Sequence, residues 1–469
     1  MKRFIFIAIA AFAVLQHPFV SAQNRQQLEK IDAYLHKLVH SGNVAGLSVA
    51  IVKKDRVLLS KGYGLSSEGK PVGAETPFAI ASLSKAFTAK YMHTLADSGR
   101  ISLDSPFTRY LDGARFRDGQ MQKITVRQLL DQTSGLSDRV FPELSLANPP
   151  QNATEFLGAM RNVQPAEAPG TRYHYHNPNY VLLALLAESV SRHTLAQDLE
   201  QAVFRPLGMR HTFAADRTGD IFGGEKGIPR GHIYAFGKAL AAPEPAWYVN
   251  GAAGMVSTAG DMALWLQEQL RHPPLRYPEK GGEKGTVYRS GWYVRPDGSL
   301  YHSGIFWTNS AELVAVPGKD YAVVLLFNGG INAFRNYAGY LEDVETLLNG
   351  AEQSPPVTPA WVWAALLILV LAVALYFGIR RLKKQRNARK SGMLYFVCGA
   401  VLRLLPLISV CALPALLTAL SGRVLSFYRI FLMMPDGLSV LLLIAVLQVI
   451  ILLRALFFRV KTAGRGRVL

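Results

Sequence analysis

Three long apolar stretches crowd the last quarter of this 469-residue chain, and they dictate how the rest can be arranged. Residues 361–379 carry no charged side chain, and about 20 apolar residues suffice to cross a bilayer as a helix. Residues 393–420 and 438–458 are two further candidates. The middle one holds Arg403, Pro406 and Pro414, so a helix lying in the interface is its alternative reading. Arg380, Arg381, Lys383, Lys384, Arg386, Arg389 and Lys390 follow the first stretch, and Arg459, Lys461, Arg465 and Arg467 follow the third. Basic flanks mark cytoplasmic ends. Three spans then leave everything before residue 360 outside the cell membrane, with the bilayer as a partner and a multi-pass inner-membrane location.

The start of the chain agrees. Lys2 and Arg3 precede an apolar run over residues 4–15, and Val20-Ser21-Ala22 offers small residues where a signal peptidase reads. Residues 1–22 are therefore expected to be a signal peptide, with an uncleaved anchor as the alternative. The net charge of +18 is not spread evenly. Residues 23–360 hold 34 basic and 32 acidic side chains, whereas residues 361–469 hold 15 and 1. The excess sits beside the apolar spans, where it sets topology, so no nucleic-acid partner is expected.

Both cysteines, Cys398 and Cys411, lie in the C-terminal region, so the exported part has neither a disulfide framework nor a thiolate metal site. It must be held by its core. A helix over residues 25–40 is followed by two alternating, β-branched segments, 45–52 and 56–63, that read as a hairpin. The middle is mainly helical: residues 124–130 capped by Thr125, then 154–161, 179–191 and 195–203. Residues 217–245 have no period and read as a long loop. A helix over 262–270, strands at 288–294, 310–316 and 321–327, and a helix over 334–348 complete the exported part. The fold class is α+β: an antiparallel sheet flanked by helices, with an inserted all-α lobe at about residues 100–245, then C-terminal transmembrane helices. The expected division is a domain over residues 23–350, a Pro-rich linker over 351–360 and a membrane domain over 361–469.

Within the exported part, Ser82 and Lys85 stand three apart where a helix is expected to begin, which places them on one face. A serine hydroxyl needs a neighbouring base to act as a nucleophile. A lysine can be that base if burial disfavours its ammonium, and the surrounding sequence from Ala79 to Ala89 is largely apolar. Ser67-Glu68-Gly69-Lys70 repeats the string but reads as a turn. Tyr175-His176-Asn177 precedes the apolar helix over 179–191 and offers a phenol that a nearby ammonium could draw towards phenolate. Tyr248-Val249-Asn250 has the same pattern in a glycine-rich setting that would hold it less rigidly. His302-Ser303-Gly304 falls among the strands. There the histidine would bring polarity or charge to the reacting carbonyl, and the glycine would let a substrate backbone approach an edge strand. His174 and His176 read as solvent-facing loop residues rather than metal ligands, so no metal and no cofactor is expected.

In order and context these strings resemble the serine β-lactamase and penicillin-binding protein superfamily, in its class C-like branch. The resemblance covers about residues 25–350 and includes Gln132-Thr133-Ser134-Gly135-Leu136 and residues 251–261. It implies an acyl-enzyme on Ser82, proton transfer by Lys85 and Tyr175, and an oxyanion hole from the N–H groups of Ser82 and Ile305. It implies that Asn177 positions Lys85 and the substrate amide, and that His302, Ser303 and Gly304 stand where Lys-Thr-Gly is usual. Gln132 replaces the common histidine. Ile305-Phe306-Trp307 is bulky where small residues are frequent, which implies a narrowed apolar subsite. The three spans resemble those of membrane-bound D-amino-acid-specific peptidases of the colibactin-maturing type. A peptidase or amidase acting on small-molecule or peptide substrates, D-amino-acid-containing or of cell-wall type, is the first expectation. An esterase, a slow β-lactamase or penicillin-binding protein, and a non-turnover penicillin-recognising sensor are the alternatives.

Overall fold

The computed structural model describes residues 22–223, 227–274, 285–384 and 393–465. Residues 1–21 of the expected signal peptide, and Arg386, Arg389 and Lys390 of the basic run, lie outside the described residues. A seven-stranded antiparallel sheet organises the part of the chain before residue 350. In spatial order its strands are Val57–Gly64, Gly46–Val52, Tyr321–Phe327, Ser310–Val316, Leu300–Ile305, Trp292–Val294 and Val287–Arg289. The N-terminal hairpin thus pairs with the last strand, Leu47 opposite Phe327 and Val52 opposite Ala322. Three of the central strands are buried along their whole length, because both faces of the sheet are covered.

One face packs against the helices Ala22–His40 and Tyr337–Leu348 through Ile31, Leu35, Val49, Val323, Leu325 and Leu341. The other packs against Ala259–Arg271 and the mainly helical lobe, where Phe87 stacks on Trp265 at 4.0 Å between centroids. The helix Val126–Leu130 carries a full capping box, the Thr125 and Gln128 side chains each accepting from the other's backbone N–H.

Two expectations change in detail. Residues 288–294 form two strands rather than one, because Ser290 and Gly291 both have positive φ and reverse the chain. A Cβ on Gly291 would lie 2.7 Å from the Cα of Ala86, so only glycine lets this turn reach the Lys85 helix. Residues 217–245 are not one long loop. They include a helix, Thr218–Phe222, and a hairpin, His232–Ala235 with Lys238–Ala241, whose first strand bridges Gly329. The short strands were too brief for a period to register.

Three C-terminal helices are long and apolar enough to cross a membrane: Ala360–Lys384, Met393–Ser421 and Pro435–Arg465. The second keeps its helix through Pro406 and Pro414. Between the second and third lies a short helix, Phe427–Met433, that the sequence pattern did not suggest. It docks on the sheet-bearing part of the chain. Leu425, Ile430, Leu432 and Leu438 are buried with Trp307 and against Leu144, Ile233 and Ile331.

Candidate active site

The chain enters the site on a strained turn. Ala81 has φ +45° although it carries a side chain, and Ala81–Leu83 forms one turn of 3₁₀ helix before the α-helix Ser84–Asp97 begins. The helix therefore starts two residues later than the spacing suggested, and Ser82 sits on the tighter turn ahead of it. The Ser84 hydroxyl holds the turn: it donates to the Ala81 carbonyl at 2.6 Å and accepts from the Met255 N–H at 3.1 Å. Strain of this kind persists only where its surroundings enforce it.

Lys85 is wholly buried. Its Nζ donates to Ser82 Oγ at 3.0 Å, to Asn177 Oδ1 at 2.7 Å and to the Ala252 carbonyl at 2.8 Å. It also lies 4.9 Å from the centre of the Tyr175 ring. Burial holds its ammonium well below the usual lysine range; Glu143 opposes that shift and Arg423 adds to it. Tyr175 is partly buried, and desolvation pushes its phenol well up, with a hydrogen bond to Ser82 pulling back only in part. This corrects the expectation of a phenolate: desolvation keeps the Tyr175 phenol protonated, and burial likewise disfavours the Lys85 ammonium. Asn177 stands where the loop enters the helix Pro178–Ser191, ahead of a proline preset for the first turn. Its Oδ1 fixes Lys85 and its Nδ2 donates to Glu143 at 2.9 Å.

The strand Leu300–Ile305 forms the opposite wall. Its neighbour Trp292–Val294 pairs only with Leu300 and Tyr301, so the half from His302 onward has an open edge. Phe306 N–H bonds the Asn309 carbonyl, and alternation along the ladder turns the Ile305 N–H away from Ser310 towards that open side. His302 is buried, with Nδ1 donating to the Ser303 carbonyl at 2.7 Å and Nε2 accepting from the Tyr288 hydroxyl at 3.2 Å. Burial, reinforced by Lys85, lowers it to about 3, so it supplies polarity and no charge. Gly304 is needed for a reason the sequence pattern did not suggest. A Cβ there would lie 2.1 Å from the Ile80 carbonyl oxygen, so the protein's own backbone approaches it closely.

Ser82, Tyr175, Asn177, His302, Ser303 and Ile305 line a cavity of about 260 Å³. Leu144, Trp247, Phe306, Trp307 and Ile331 make its far wall apolar, and Ser421, Arg423, Leu425 and Met433 close it from the region between the last two long apolar helices. The second tyrosine string is elsewhere: Tyr248 packs on Phe156 and Asn250 donates to Glu188. The Gln132 segment is scaffold. Gln132 Oε1 accepts from the His176 N–H, and its carbonyl accepts from the His174 N–H, so both neighbours of Tyr175 hang from one residue.

Sequence reasoning missed Asp138, Glu143 and Arg423. Nothing in the spacing of the arginine ties it to residues some 280 positions earlier. His176 is also not the solvent-facing residue expected. It is fully buried, its Nε2 donates to the Phe141 carbonyl at 2.9 Å, and burial lowers it to about 4. Asp138, Glu143 and His176 bring ligand atoms within 4.8 Å of one another, a spacing a metal could use, as do Glu75, His211 and Asp261. At the first cluster the Arg423 guanidinium already bonds both carboxylates.

A family model described as Beta-lactamase matches residues 31–346. Protein flp of Staphylococcus aureus (strain MRSA252) is 28% identical over 320 residues, covering 64% of this chain and 62% of that protein, so the chain spans less than two thirds of that relative's length. A beta-lactamase of Escherichia coli (strain K12) is 28% identical over 284 residues, 60% of this chain and 71% of that one. Among solved structures, the octameric penicillin-binding protein homologue from Pyrococcus abyssi superposes with a TM-score of 0.59 at 22% identity, over 71% of this chain and 80% of that chain. EstCE1, described as a hydrolase with promiscuous acyltransferase activity, gives 0.58 at 19%, over 70% of this chain and all of the other. These two likenesses are of fold. With the family model spanning well over half of its length, the chain belongs to the Beta-lactamase family.

Proposed function

We propose that the protein is a membrane-anchored serine hydrolase that works through an acyl-enzyme on the outer side of the cell membrane, as a peptidase or amidase on D-amino-acid-containing or cell-wall-type peptides. The observation that carries this reading is a buried lysine amine 3.0 Å from a serine hydroxyl at the floor of a cavity. In the proposed reaction Ser82 Oγ attacks the carbonyl carbon while Lys85 Nζ takes its proton. The oxyanion is met by the N–H groups of Ser82 and Ile305. The Tyr175 phenol gives its proton to the leaving nitrogen and regains one from the Lys85 ammonium, so the amine departs neutral. Water then enters, and the same groups run in reverse to free the acid and restore Ser82.

The bilayer supports the location. Ser421 ends the second span and lines the cavity, so the reaction would take place at the membrane surface, where lipid-linked or newly exported substrates are concentrated. The apolar wall of Trp307, Phe306 and Leu425 favours a second reading, an esterase for apolar acyl groups, which needs less help for its leaving group.

Labelling of the full chain with a fluorophosphonate tests the reading. Ser82→Ala is expected to abolish the adduct. Lys85→Ala is expected to slow its formation by roughly 10²–10⁴-fold, the range of general-base catalysis. Normal labelling of either variant overturns that residue's role. A panel of D- and L-configured acyl amides and esters then separates peptidase from esterase. An adduct that never clears, with no substrate turned over, would favour a sensor instead.

A further inference from the structure

Arg423 lies two residues beyond the second membrane span, yet it reaches the catalytic cavity. Its Nε donates to Asp138 Oδ2 at 2.9 Å and its Nη2 to Glu143 Oε1 at 2.5 Å. The same Glu143 oxygen accepts from Asn177 Nδ2, and Asn177 Oδ1 holds Lys85. A continuous chain of polar contacts thus runs from the membrane loop to the amine beside Ser82. The loop is also fixed beyond the arginine. Val424 N–H donates to Asp138 Oδ2 at 3.0 Å and its carbonyl accepts from Ser145 Oγ at 2.6 Å. Further on, Arg429 Nε donates to the Leu144 carbonyl and its guanidinium lies 4.9 Å from the Trp307 ring centre.

The charges make the contact consequential. Lys85 faces Glu143 and Arg423, the phenols of Tyr175 and Tyr180, and neutral His302. Arg423 faces Asp138, Glu143 and Tyr175, with His176 beside Asp138. Burial pushes both carboxylates up and the guanidinium pulls both back. Without the arginine, the Glu143 carboxylate one amide away from Lys85 would have no cation acting on it, among the described residues, but the lysine itself, and a lysine in an ion pair is no base.

We infer that Arg423 is a positioning residue for Lys85, supplied by the membrane domain: it balances the two buried carboxylates that would otherwise pair with the catalytic amine, so the hydrolase centre is complete only with the loop between the second and third spans in place. The inference rests on the proposed roles of Ser82 and Lys85. It makes the membrane domain part of the catalytic machinery as well as an anchor.

The test is the fluorophosphonate acylation rate of the full chain in detergent or nanodiscs, followed across about pH 5 to 10, where a base that must be neutral gives a rising limb. Arg423→Gln is expected to move that limb to higher pH by about one unit or more, a loss of about tenfold near neutrality. Glu143→Gln, whose carbonyl can still accept from Asn177, is expected to move it the opposite way. The double variant should return towards the wild type. A merely structural arginine would lower the amplitude without moving the limb, and Glu143→Gln would not rescue it; that result overturns the inference. If Arg423→Gln does not fold, Glu143→Gln decides alone, and an unmoved or upward-moving limb overturns it. A Lys85→Ala chain that acylates normally sinks the base assignment itself, whereas normal dependence on Lys85 with an unmoved limb sinks only the role of Arg423.

Discussion

At Gly304 one added methyl group would meet the Ile80 carbonyl, and that carbonyl belongs to the turn carrying Ser82. Gly304→Ala should therefore part the strand from the turn. We expect a loss of roughly 1–3 kcal/mol in stability, as for other overpacked sites, and a larger proportional loss in acylation, because the two proposed oxyanion donors lie on the two parts being separated. Thermal unfolding alongside fluorophosphonate labelling checks both; unchanged acylation would show that the spacing is not critical. His302 is already neutral far below physiological pH. His302→Gln should then alter rate but leave the pH midpoint of acylation where it was, and a shifted midpoint would mean that the imidazole carries charge in the reaction.

Among the elements, the loop that bears Tyr175 depends on a neighbour distant in sequence. Gln132 is buried with φ +57°, and its side-chain oxygen accepts from two donors, the His176 N–H and Asn179 Nδ2. Gln132→Ala leaves both donors buried and unpaired, at about 1–3 kcal/mol each. The melting temperature should fall, and Tyr175 should lose its place over Lys85. Full activity in that variant would show that Pro178 and the helix behind it hold the tyrosine without help.

At the scale of the molecule, docking of the membrane loop is built on apolar burial as much as on charge. Ile430 is fully buried between the two parts. Ile430→Asp places a charge inside an apolar contact, which costs several kcal/mol, about enough to detach the loop. Proteolysis should then cut between residues 422 and 435, and acylation should fall together with protection; cutting without loss of acylation would separate docking from catalysis. Stability should also depend on pH. Burial, with Glu342 adding to it, pushes Glu312 up to about 8, and burial pushes Glu244 up to about 7. Both bind protons more tightly folded than unfolded, so stability is expected to be full below the usual carboxylate range and to decline as pH rises through about 7 to 8. Glu312→Gln should flatten the melting-temperature profile over that interval, and an unchanged slope would place its cause elsewhere.

Local rules were enough for much of this. Apolar periodicity and strand alternation placed the sheet's hairpin, its last strands and the three long C-terminal helices, because each of those signals lies within a short window of chain. The short spacing of Ser82 and Lys85, and of Tyr175 and Asn177, placed the candidate chemistry for the same reason. What tertiary structure alone decided lies in contacts that no spacing encodes. It determined that Gly304 makes room for Ile80, that Tyr175 stays a phenol because burial outweighs a neighbouring cation, and that Gln132 serves the loop rather than the reaction. It also carried Arg423 across some 280 residues to Asp138 and Glu143. A sequence fixes which groups a chain owns and how neighbours along it fold; the balance of charge and solvent around each group is set by whatever the fold brings next to it.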